Sequence, residues 1–121
     1  MTALVVVGVG LLGGAGAVAR FLLDGAVASR AASAFPWGTL AVNLSGSLAL
    51  GILHGAGMSG DALRLFATGL LGAYTTFSTW MLESHRLGED GRVRLGLTNV
   101  LVSLALGLAC VWLGDQIGGA L

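Results

Sequence analysis

Apolar residues fall in four long blocks along the chain. Residues 3–23 carry one charge, Arg20, and residues 31–53, 65–82 and 95–114 carry none. Each block is close to the ~20 residues that cross the hydrocarbon core of a bilayer. The pattern predicts an all-α membrane protein, one domain over residues 1–121. Its four transmembrane helices are expected at about 3–23, 38–55, 63–84 and 93–114, with both termini on one side. The alanine-rich stretch after Gly25, with Arg30, reads as a helical extension at the interface. Phe35-Pro36-Trp37-Gly38 reads as a turn at headgroup level, with Thr39 as a helix cap.

Polar positions inside the blocks are spaced as on helices. Thr39, Asn43, Ser47, Gly51 and Gly55 recur every four residues, and so do Asn99, Ser103 and Gly107. At ~3.6 residues per turn each set forms one slowly drifting stripe. The stripes predict either helix-to-helix glue or two walls of a polar track. Gly10 and Gly14 form a small-xxx-small pair that predicts close approach of another backbone. Arg20, near the end of its block, either snorkels to the interface or anchors carbonyls and draws anions at a pore mouth. Trp112 reads as an interface anchor.

The third block departs from the pattern. Gly72-Ala73-Tyr74-Thr75-Thr76-Phe77-Ser78-Thr79-Trp80 packs five hydroxyls into an uncharged stretch, just after Gly69. A helix in lipid satisfies its own backbone and needs no such cluster. Irregular backbone at membrane depth is tolerated where protein buries it or where it lines a cavity. The stretch therefore predicts a helix break near residues 72–76 that carries an ion site. Hydroxyls, amides and ring edges, which bear partial positive charge, can guide a small anion without trapping it. Phe77 and Trp80, three apart, can share a face. Carbonyls freed by a break suit a hard cation. Glu83 lies four residues beyond Thr79 and can face the same vestibule.

Composition narrows the class. The chain is 55% apolar and 10% charged, against the ~25% charge usual for a soluble domain. Its 21 glycines are dispersed among Leu, Val and Ala, as in closely packed membrane helices. Zero formal net charge gives no reason to expect nucleic acid as a partner. Cys110 is the single cysteine and fits no metal pattern. The start has no basic n-region, so the first block is read as retained rather than as a signal peptide. No nucleophile–base pair, metal cluster or phosphate loop points to an enzyme.

Three pieces in this order resemble the Fluc (CrcB) fluoride channels. They are Gly13-Gly14-Ala15-Gly16-Ala17-Val18-Ala19-Arg20-Phe21, Gly38-Thr39-Leu40-Ala41-Val42-Asn43-Leu44-Ser45-Gly46-Ser47, and Gly69 to Trp80 with Glu83. The resemblance covers the whole chain. It implies an antiparallel dimer in a prokaryotic plasma membrane, formed with itself or a homologous subunit, that lets fluoride leave the cell passively. It also implies a structural sodium ion at the dimer centre, held by the carbonyls of Gly72 and Thr75 from both subunits. Asn43, Phe77, Ser78, Thr79, Trp80, Glu83 and Ser103 would line the anion path. Arg20, Thr39 and Ser47 would serve the vestibule or the framework.

Two features depart from that pattern. Trp80 stands where the family has phenylalanine, and its larger ring and N–H donor are expected to alter or close that pore face. Arg30, Arg86, Arg92 and Arg94 fall at one set of helix ends and Arg64 at the other. The positive-inside rule then favours both termini outside. A fixed orientation would suit one half of a two-gene channel, including a non-conducting partner subunit. The rivals are a dual-topology multidrug or cation transporter and a purely structural membrane protein. The first needs an embedded carboxylate that the first block lacks, and the second leaves the polar stretch unexplained.

Overall fold

The computed structural model describes residues 1–121; its regular structure is all helical, with no strand. Helix α1 spans Ala3–Ala31 and α2 spans Trp37–Gly55. The third segment is composite. A short α3, Gly60–Leu63, runs into a π-helical stretch, Arg64–Leu71, and then a single turn, α4, Gly72–Tyr74. Thr75 and Thr76 are extended, and α5 resumes at Phe77–Glu89. Helix α6 covers Val93–Gly119. Four apolar blocks have thus become four helical segments.

The boundaries differ from expectation in identifiable ways. Helix α1 runs past residue 23 to Ala31, so the helical extension expected after Gly25 is continuous with it: Ala26 to Ala31 has no helix breaker and Arg30 sits favourably in the last turn. It stops where Ala32 adopts a left-handed conformation, φ 45°, and Pro36 follows. Helix α6 continues to Gly119 rather than residue 114. Thr39 is not a cap: α2 already begins at Trp37, behind Pro36, and Thr39 is buried within its first turn.

Glycines set the packing. Helices α2 and α6 run in the same direction with backbones nearly touching. A side chain at Gly51 would overlap the Val111 carbonyl, and one at Gly114 or Gly118 would overlap the Leu48 or Ile52 carbonyl. Helix α1 lies along the π-helical stretch in the same way, with Gly16 against the Leu70 carbonyl and Gly13 facing that of Gly69. The expected Gly10–Gly14 pair takes no part in this, since neither has another segment within 4 Å. The contact face belongs to Gly13 and Gly16, a fraction of a turn away.

Helices α1 and α6 are each long and apolar enough to cross a membrane. Helix α2 is shorter, 19 residues against 29 and 27. Large apolar side chains stay exposed along the outside, among them Leu4, Leu11, Phe21, Leu101 and Leu108, each at 64% or more of its area. Patches of that extent mark contact with lipid or protein rather than water.

Candidate functional site

Helical hydrogen bonding is re-routed at Thr75 and Thr76. In an unbroken α-helix the Thr76 N–H would donate to the Gly72 carbonyl. Here it donates to Asn43 Oδ1 at 2.8 Å, and Asn43 Nδ2 returns a bond to the Thr76 carbonyl at 2.9 Å. The Thr79 N–H would likewise donate to the Thr75 carbonyl. It donates instead to Thr76 Oγ1, at 3.2 Å, which caps α5. Thr75 turns its own hydroxyl back to the Leu71 carbonyl at 3.0 Å. Both carbonyls singled out from the sequence, Gly72 and Thr75, have thereby lost their helical donors. Such oxygens could hold a hard cation, two from one chain.

These residues border a groove of about 370 Å³ between α2, the third segment and α6. Asn43, Ser47, Gly72, Thr75, Phe77, Trp80 and Ser103 line it, with Gly46, Leu104 and Gly107 among the other walls. The two polar stripes do meet: a side chain at Gly107 would come within 3.9 Å of Ser47 Oγ. Gly46 must be glycine-sized because Tyr74 and Thr75 press on it, while Tyr74 Oη bonds Ser45 Oγ at 2.7 Å.

Phe77 and Trp80 meet edge to face, with centroids 5.6 Å apart and planes at 90°. Phe77 is largely exposed on the groove. The indole N–H of Trp80, absent from a phenylalanine, is already committed to the Asn99 carbonyl at 3.2 Å. The indole therefore has no free N–H to donate into the groove.

Other expected residues lie elsewhere. Ser78 and Thr79 are not in the groove lining; their hydroxyls gather at the Thr76 cap, at 3.4 and 3.1 Å from its Oγ1. Glu83 accepts from the Thr39 hydroxyl and borders a second, polar cavity of about 290 Å³ with Asp24, Arg86 and Asp90. Arg20 is half-buried and lines neither cavity. Sequence reasoning missed Ser84 and underrated Asn99, which is 1% exposed and bonds Ser84 Oγ at 2.8 Å. The four-residue interval from Asn99 to Ser103 was the available signal.

Known proteins match this chain along most of its length. The family model described as CrcB-like protein, Camphor Resistance (CrcB), matches residues 7–115. A protein of Mycolicibacterium paratuberculosis named Fluoride-specific ion channel FluC 2 is 54% identical, over 96% of this chain and 95% of its own length. One of Rubrobacter xylanophilus named Fluoride-specific ion channel FluC 1 is 48% identical, over 87% of this chain and 86% of its own. One of Geobacter sulfurreducens named Fluoride-specific ion channel FluC is 43% identical, over 90% and 92%. With its apolar outer helices and a match along nearly its full length, this chain is a membrane protein belonging to the CrcB family.

Proposed function

We propose that this chain forms a fluoride-selective channel through which fluoride leaves a prokaryotic cell passively across the plasma membrane. All four helical segments span the bilayer in this reading. Two copies, or this chain and a homologous subunit, pair antiparallel, each closing the other's open groove. The observation that carries it is the Asn43–Thr76 exchange, which supports an irregular backbone beside a groove lined by ring edges, an amide and hydroxyls. Each part has a role suited to a small anion. Asn43 spends one of its two Nδ2 protons on Thr76 and keeps the other for the ion. Phe77 and Trp80 offer positive ring edges in place of water. No arginine lines the groove, so no full charge is there to hold the ion fast. The released carbonyls of Gly72 and Thr75 would hold the structural sodium ion, shared between subunits, whose chemistry is only to supply positive charge at the centre. The channel performs no bond chemistry and is not an enzyme.

Fluoride efflux from liposomes holding this purified chain, with chloride efflux alongside, tests the reading. Fast fluoride release without chloride release is expected of the self-paired channel. A folded protein that releases fluoride only when co-reconstituted with a homologous subunit would select the two-gene form, which the one-sided arginines favour. Release in neither case would overturn the reading.

A further inference from the structure

Four groups between α5 and α6 form a chain of hydrogen bonds whose direction is fixed at one end. Ser84 Oγ lies 2.8 Å from the Trp80 carbonyl oxygen. A carbonyl has no proton, so Ser84 must donate. Its only hydrogen being used, Ser84 can only accept from the other side. The group at 2.8 Å on that side is therefore the Nδ2 of Asn99. That orients the amide, leaving Asn99 Oδ1 toward Ser103, whose Oγ lies 3.1 Å away. An amide oxygen only accepts, so the single proton of Ser103 is spent on Asn99. Asn99 is 1% exposed, and water does not compete for either end.

Ser103 lines the groove. With its proton drawn into the α5–α6 seam, its hydroxyl turns lone pairs, not a proton, toward the ion path. Resting on the channel reading above, we propose that Asn99 is a positioning residue that sets the polarity of the α6 wall. It makes Ser103 an acceptor that holds a water molecule and keeps it from donating directly to the anion. The direct donors then lie on the α2 side and on the aromatic edges, and the anion passes the α6 side over a water shell. This reverses the role that the residue type alone suggests for Ser103.

The test couples Ser103 to the far end of the chain. Ser84→Ala removes the acceptor that holds the Asn99 amide, which can then turn and free the Ser103 proton for the groove. In liposomes, Ser103→Ala in the otherwise unchanged protein is expected to alter fluoride efflux by about twofold or less, the scale of a weak neutral contact. In a Ser84→Ala background the same substitution is expected to cost roughly tenfold, the scale of a lost donor to a charged group. A tenfold loss in the unchanged background, or equal effects in both, would overturn the proposal. A second readout needs no flux and only single substitutions. The chain has two asparagines, so labelling them with nitrogen-15 gives two side-chain amide pairs in micelles. Ser84→Ala should shift the Asn99 pair strongly and Ser103→Ala weakly, because the nitrogen faces Ser84. The opposite ranking would overturn the assignment even if the protein carries no fluoride, a result that would tell against the channel reading instead.

Discussion

Asn43 replaces for Thr76 both of the backbone partners that a continuous helix would supply, accepting from its N–H at 2.8 Å and donating to its C=O at 2.9 Å. One side chain on α2 thus stands in for a turn of the third segment. It also couples the position of α2 to the two carbonyls left free at Gly72 and Thr75.

Substitution of Asn43 should separate its two roles. Asn43→Leu leaves the half-buried Thr76 N–H and C=O without these partners, at about 1 kcal/mol for each. Thermal unfolding in detergent should register that loss. Asn43→Asp keeps the acceptor for the N–H but sets a carboxylate against the Thr76 carbonyl and into the groove. Fluoride efflux should fall by roughly tenfold or more, as for a lost bond to a charged group. Size-exclusion chromatography should still show an assembled protein. Unchanged efflux in Asn43→Asp would remove Asn43 from the anion path.

Trp80→Phe removes the indole bond to the Asn99 carbonyl while keeping a ring edge beside Phe77. The lost bond should lower stability by about 1 kcal/mol, the usual net value for a neutral pair. A smaller ring leaves more room in the groove, so efflux should stay level or rise. A severe loss of efflux with the fold intact would show that the ion uses the indole itself, against the committed N–H seen here.

Much of this architecture is legible from one sequence because its signals are local or periodic. Apolar block length gives four helical segments, and the four-residue spacing of Ser47 and Gly107 within their stripes gives neighbours in space. The failures share a cause, which is that facing direction depends on partners distant in sequence. Gly10 and Gly14 have the same spacing signature as a packing pair, yet the face that packs within this chain is that of Gly13 and Gly16. Thr39 has a capping residue's composition and place in sequence, but Glu83, 44 residues on, takes its hydroxyl. The polarity of Ser103 is set by a carbonyl on another helix, so no inspection of α6 could reveal it.

Glycine substitutions can check that distinction. Gly16→Ala and Gly114→Ala each drive a methyl group into a backbone carbonyl, of Leu70 and Leu48 respectively. Backbone cannot yield as a side chain can, and overpacking of this kind costs about 1–3 kcal/mol. Gly10→Ala and Gly14→Ala meet no other segment. Within a single chain they should be neutral or stabilising by up to ~1 kcal/mol through helix propensity. Unfolding in detergent compares the four variants directly. Destabilisation by Gly10→Ala or Gly14→Ala that depends on protein concentration would instead locate a subunit contact on that face of α1.

Orientation in the membrane is the remaining variable, and the fold sharpens the charge argument. Asp24, Phe35, Trp37, Arg86 and Asp90 border one cavity, so the α1–α2 and α5–α6 connections share an end of the molecule. Arg30, Arg92 and Arg94 adjoin those same connections. The opposite end carries the His54–Asp115 pair, at 2.7 Å, and the Arg64–Asp61 pair, at 2.8 Å. Arginine near short loops decides orientation, while acidic residues contribute little. The arginine-rich end should therefore face the cytoplasm and both termini the outside. Fusions of alkaline phosphatase or a fluorescent protein to the C-terminus read this out, since each is active on one side only. Phosphatase activity alone is expected, and with it a requirement for an oppositely oriented partner subunit. Replacing Arg92 and Arg94 by Ala should shift part of the population to the other orientation. Equal signals from both fusions of the unaltered chain would show that it inserts both ways and can pair with itself.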